Sequence, residues 1–399
     1  MTSAHDLDRP LIQSVSGHIV SPRWAARVVS QLHDVLSEEE RRAMLAQNPD
    51  SYLHVTSDPS ALPDPTGDLE GEPVQARALR RLLERRAYSP VREPALFVYR
   101  LTDGGRDHTG VIANVAVEGF GDGRVLGHER VQPERVDALV RHYQRVSMRS
   151  ELVALFHHHD AVVTELTARV VAGPPVLQFT DASGVTQSVW KAAPADAEAL
   201  TRRLGGQRWY VADGHHRVAA ATRFRAIGGR PPTATVLCAL YPEDDVVLHA
   251  FHRRVRGPVD ARELVDGLAA SFEVTPVPDP VAGPAAGCIG LYADARWWVL
   301  RPRVFRAQGG VAGLDVTVLE EQALQPLLGV HHGDPRLEYV PDLRDIGASV
   351  RQCRADGGAL FTLHAPRVED VVAVAERGEA MSPKTTYVQP KPRTGIFLS

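Results

Sequence analysis

The chain has 399 residues with 44% hydrophobic and 24% charged content, a balance that excludes wholesale disorder and requires more than one core. Lys+Arg 45 against Asp+Glu 49 gives a formal net charge of −4, so the basic excess of a sequence-independent nucleic-acid binder is missing and only a local basic face could serve that role. Three scattered cysteines, Cys238, Cys288 and Cys353, argue against a disulfide framework or a cysteine zinc site, and the lack of a leader-like start or an apolar run of about 20 residues points to a reducing cytoplasm and no membrane partner.

The first expected element in chain order is a helix opening at Ser37-Glu38-Glu39-Glu40, where a capping serine and early acids suit a helix start. Residues 58–74, rich in Pro, Gly and Asp, read as a solvated loop, and 75–87 as an amphipathic helix. From Pro94, short β-branched and aromatic runs predict strands at 95–99 and 110–117 around the turn Asp103-Gly104-Gly105. The stretch 118–123 reads as a turn, and Pro133–Arg145 as a helix with proline in its first turn. A strand at 152–156 leads into His157-His158-His159-Asp160, a polar loop rather than a metal site, because consecutive histidines cannot all face one ion. Segments 175–179 and 186–190 bracket Asp181-Ala182-Ser183-Gly184 as a hairpin. A strand is predicted at 209–212, a helix at 217–227 closed by Gly228-Gly229, and a strand at 233–240. Beyond about 258 the pattern gives helices at 261–272, 316–328 and 368–377, strands at 287–293 and 297–301, and a Pro/Ala/Gly linker at 278–287. Trp297-Trp298 reads as core. A Walker-type phosphate loop and internal repeats are both missing.

The strongest local signal is Asp213-Gly214-His215-His216-Arg217 between a buried strand and an alanine-rich helix. A helix start offers unpaired N–H groups and a partial positive charge, and His215, His216 and Arg217 add donors in the same turn, which suits phosphate. Asp213 could hold Mg²⁺ or accept a hydroxyl proton. The plainer alternative is a capping aspartate followed by two exposed histidines.

These residues carry a resemblance. Ala212-Asp213-Gly214-His215-His216-Arg217 is similar to the signature of the domain-of-unknown-function family numbered ten-fifteen, which is related to the ParB/sulfiredoxin-like fold and to free-serine kinases built on it. Four further segments match in order: Gly127-His128-Glu129-Arg130; Leu248-His249-Ala250-Phe251-His252-Arg253; Leu314-Asp315-Val316-Thr317-Val318-Leu319; and Met381-Ser382-Pro383-Lys384-Thr385-Thr386-Tyr387 followed by Pro390-Lys391. Departures exist too. Gln31-Leu32-His33-Asp34 stands where the family commonly has Pro-Pro-Tyr-Asp, Val131 replaces a hydroxyl residue, and 147–156 fits poorly.

The resemblance implies a mixed α/β (α+β) fold: a ParB/sulfiredoxin-like nucleotide-binding domain at 94–257 between α/β extensions at 1–93 and 258–399. It implies Glu129 and Asp213 as catalytic groups, with Mg²⁺ on Asp213. Gly214, His215, His216 and Arg217, with His128, Arg130, Lys384, Thr385 and Lys391, would hold the phosphates of ATP or another nucleotide. Asp34, His252 and Arg253 are candidates for contact with the substrate. The reading is an ATP-dependent kinase acting on free serine or a similar small hydroxylated amino acid. Two alternatives stand beside it: a nucleotide-gated (ATP or CTP) ParB-like binding protein and an amino-acid sensor. Glu129 also has a plainer role as an acid favouring the helix that follows, and Lys384 to Lys391 as a solvated tail.

Overall fold

A computed structural model describes residues 10–31, 38–57, 73–146, 148–227, 235–304 and 310–399. It is a mixed α/β structure whose chain divides into two compact units: residues 1–126, 131–246 and 390–399 form the first, and 127–130 with 247–389 the second.

The first unit is built on a mixed sheet. Its strands run in the order Val125–Leu126, Trp209–Asp213, Val153–His157, Thr235–Pro242, Arg106–Ala116, Phe97–Asp103, Thr186–Lys191, Leu177–Thr180, with Ile12–Gln13 also paired to Arg106–Ala116. Alternation decides its faces. Val111, Ala113, Val115, Val153, Leu155, Val211, Cys238 and Leu240 share one core with apolar residues of the helices Pro133–Arg145, Ala161–Val171, Pro194–Gly205 and His215–Ile227. Burying such side chains stabilises the unit by roughly 1.5–3 kcal/mol each. A smaller sheet pairs Val15–Val20 with Tyr88–Ala95 on one side and Phe397–Leu398 on the other.

The second unit has its own sheet, ordered Phe272–Val277, Arg296–Pro302, Ile289–Ala293, Ala359–Thr362, Val247–Val255, Leu337–Pro341, with Thr386–Gln389 pairing the first half of Val247–Val255. Trp297 packs with Tyr292, Cys353 and Leu360 in its core. The helix expected at 261–272 ends at Leu268, and Phe272 opens a strand instead. Ala269 and Ser271 sit in the turn between them, where backbone N–H groups bond back to Val265 and Leu268.

Most expected elements lie close to their places, and the hairpin around 181–184 forms as read. Pro133–Arg145 has the expected bounds, with its proline in the first turn. Ser37, Gly228 and Gly229 lie outside the described residues. Among the described residues no helix is long and apolar enough to cross a membrane.

Candidate functional site

Trp209–Asp213 is a buried strand, and its pairing with Val153–His157 shifts register between Val211 and Asp213. The irregularity frees the end of the strand to turn. Gly214 makes that turn at φ +111°, a conformation L side chains rarely adopt, and a Cβ there would lie 3.1 Å from the Arg217 guanidinium. The helix His215–Ile227 starts at once.

Arg217, one helical turn in, reaches back to Oδ2 of Asp213 and also donates to the carbonyl of Leu152. Lys391 donates to Oδ1 of the same carboxylate at 2.7 Å. Burial alone would raise the Asp213 pKa. Lys391 and Arg217, with His215 adding to them, hold it well below the usual carboxylate range instead. Two cations meet one carboxylate at a helix start, and the side chains are only 12% (Lys391), 11% (Arg217) and 18% (Asp213) exposed. Such a site favours an anion.

His215 is buried. The Nε2 of His216 accepts from the Gln132 N–H at 3.0 Å, which leaves the proton of the neutral ring on Nδ1. His216 therefore ties this helix to the start of Pro133–Arg145 as well as standing beside the turn. The plain picture of two exposed histidines behind a cap does not describe this arrangement.

Lys391 reaches Asp213 because residues 390–399 are anchored rather than solvated. Arg393 donates to Asp181 at 2.6 Å, to Ser183 at 3.0 Å and back to the Lys391 carbonyl at 3.2 Å. Gln187 and the hydroxyl of Tyr99 complete the buried network, at 2.9 Å to Asp181 and 2.5 Å to Gln187 respectively. Gly395 is gripped from both sides, its N–H on Ser150 and its carbonyl on Tyr88. Ile396, Phe397 and Leu398 are fully buried. The reading of Lys391 as part of a solvated tail is thus corrected. The signal in the sequence was the apolar run Ile396-Phe397-Leu398.

In the second unit, the Met381 N–H donates to the His128 carbonyl at 2.7 Å, and Glu129 and Met381 form a parallel bridge. Two segments singled out separately in the sequence are therefore neighbours. His128 is buried, Glu129 partly buried and Arg130 exposed. The adjoining turn is tight: Thr385 donates to the Ser382 carbonyl at 2.6 Å, Ser382 to Glu320 at 2.7 Å, and Lys384 adopts φ +59°.

Arg253 braces that turn from within. It is fully buried, donates to the carbonyls of Phe251 at 2.8 Å and Lys384 at 3.0 Å, and lies over the Tyr339 ring. Burial pushes the neighbouring His252 down to about 4, with Arg253 adding to the effect, and its Nδ1 accepts from the Leu363 N–H at 3.2 Å. Both residues, offered by the sequence as substrate contacts, here serve the backbone. Lys384 and Thr385 fall in this unit and Lys391 in the first. Asp34 lies outside the described residues.

A metal fits Asp213 poorly in this arrangement, since each of its oxygens already meets a cation. Among the described residues no group of three or more His, Cys, Asp or Glu could hold a metal ion.

A family model described as protein of unknown function (DUF1015) matches residues 16–317. No curated protein matches the chain. Among solved structures, a free serine kinase mutant in complex with AMP aligns with 72% of this chain and 92% of its own, at 15% identity and a TM-score of 0.40. A free serine kinase mutant in complex with ADP covers the same shares at 16% identity and 0.39. SbnI with a C-terminal truncation, from Staphylococcus aureus, aligns with 72% of this chain and 86% of its own at 11% identity and 0.38.

Proposed function

The chain belongs to the DUF1015 family, and from that premise we propose that it binds ATP by its phosphates at the Asp213–Arg217 turn and transfers phosphate to the hydroxyl of free serine or a similar small hydroxylated amino acid. One observation carries the reading: Arg217 and Lys391 converge on a single carboxylate at the start of a helix. Phosphoryl transfer needs neutralised phosphate charge and a positioned hydroxyl more than covalent help. An incoming phosphate competes with Asp213 for the two cations. A carboxylate so released recovers basicity and can orient or deprotonate a hydroxyl. Magnesium would arrive on the nucleotide's own phosphates, and no step is assigned to it here.

A second reading is favoured by the saturation of Asp213. A carboxylate held far below its ordinary pKa by two cations is a weak base, which suits a protein that binds nucleotide as a signal without chemistry. One experiment separates the two. The full chain is incubated with Mg²⁺, ATP and each hydroxylated amino acid, and products are read by mass spectrometry for wild type, Asp213→Asn and, in the second unit, Glu129→Gln. Phosphorylated amino acid from wild type, reduced by about two orders of magnitude or more in Asp213→Asn, supports the kinase. Nucleotide binding without product sinks it and leaves the binder.

A further inference from the structure

A cavity in the first unit lies outside the phosphate turn. It has a volume of about 200 Å³ and lies between the helix Ala161–Val171 and the sheet, lined by Val111, Val163 and Leu240 on its apolar side and by Arg100, Asp245 and helix threonines on its polar side. Drug-sized ligands fill roughly 300–1,000 Å³, so this space suits something smaller.

Its charged groups have opposite sign. Thr109 holds both. Its hydroxyl accepts from Nε of Arg100 at 2.9 Å, while its backbone N–H donates to Oδ2 of Asp245 at 2.8 Å. One residue therefore links a guanidinium and a carboxylate that line the same cavity. Arg100 is further steadied by Asp107 at 3.2 Å and by the Trp190 ring beneath it, and the Asp245 carbonyl accepts from His108 at 2.7 Å. Thr164 and Thr167 spend their protons on helix carbonyls, which leaves their oxygens as acceptors.

We propose that this cavity binds a free α-amino acid, its ammonium on Asp245 and its carboxylate on Arg100. Such a zwitterion carries one charge of each sign, and the threonine-bridged Arg100 and Asp245 offer it a partner for each. Val111, Val163 and Leu240 limit the side chain to a small or branched one. Burial raises the Asp245 pKa, so an isolated carboxylate is disfavoured there and an ammonium partner relieves it.

The cavity is distinct from the phosphate turn. Along Val153–His157, Ala154 pairs with Asp213 while His157 pairs with Pro242, a cavity residue. Those two positions are about 10 Å apart along the strand. The proposal does not depend on the kinase reading.

The test uses the full chain without nucleotide, titrated by calorimetry with glycine, L-alanine, L-serine, L-threonine and L-valine, each beside its N-acetyl and carboxamide forms. At least one free amino acid should bind, and either cap should weaken it about tenfold or more. Arg100→Gln and Asp245→Asn should do the same, and Thr167→Leu, which fills the cavity with apolar volume, should abolish it. No binding by any of the five at about 10 mM, or a capped form that binds as well as the free one, overturns the proposal. A ligand lost in Lys391→Met but kept in Asp245→Asn would lie outside this cavity and equally overturn it.

Discussion

The charge on Asp213 depends on its neighbours, because burial works against it and Lys391 and Arg217 work for it. A carboxylate whose folded pKa is depressed contributes stability above its ordinary value of about 3.9 and loses that contribution as pH falls through the folded one. Lys391→Met should therefore destabilise the protein by about 1.5–3 kcal/mol at neutral pH, the worth of a charge-assisted bond. The cost should shrink by about pH 3, where the unfolded carboxylate is already protonated. Denaturant titrations at the two pH values would show it; an equal cost at both would mean that Lys391 acts through its stem and not its charge. At this scale the sequence was legible where chemistry is contiguous. Asp213, Gly214 and Arg217 stand within five positions and announce a charged turn. Lys391 enters only through a family resemblance, Asp181 only as a turn residue and Arg393 not at all, since a pair 212 positions apart leaves no local pattern.

Elements were read best where a single residue type forces the geometry, and Gly214 is the clearest case. Ala at 214 would have to hold φ +111° with its Cβ against the Arg217 guanidinium. Strain of this kind costs about 1–3 kcal/mol, and the guanidinium must move. Gly214→Ala should thus keep its far-ultraviolet circular dichroism yet bind ATP at least about tenfold more weakly; unchanged affinity would remove Arg217 from the phosphate site. Arg393→Met probes a different dependence, that of Lys391 on the segment that carries it. Removing one partner of a buried ion pair costs about 3–5 kcal/mol, so the variant should melt earlier and expose residues 390–399 to protease. Other elements were hidden by stronger signals beside them. The helix Ala161–Val171 is masked in the sequence by the polar run His157-His158-His159-Asp160 that precedes it. Asp160 is in fact the cap of that helix, accepting from the N–H groups of Val162 and Val163. The strand Arg296–Pro302 is legible nearly whole because its apolar residues, Trp297 to Leu300, are contiguous.

At the scale of the molecule the chain does not visit its units in sequence. It leaves the first after 126, returns at 131, leaves again after 246 and comes back at 390. Pattern reading works along consecutive residues and has no means of seeing a strand that returns from the far end of the chain to pair with Val15–Val20. Ile396, Phe397 and Leu398 are all at 0% exposure within the first unit, and burial of such side chains is worth roughly 1.5–3 kcal/mol each. Together that is on the order of 5–9 kcal/mol, comparable with the whole stability of an ordinary domain, about 5–15 kcal/mol. The Arg393–Asp181 pair is lost with them, leaving Asp181 without its cation. A fragment of residues 1–246 should therefore lack a cooperative thermal transition, and a synthetic peptide of residues 390–399 added in excess should restore one by binding the folded form. A cooperative melt of the fragment alone, within a few degrees of the intact chain, would show that the returning segment decorates a core already complete without it.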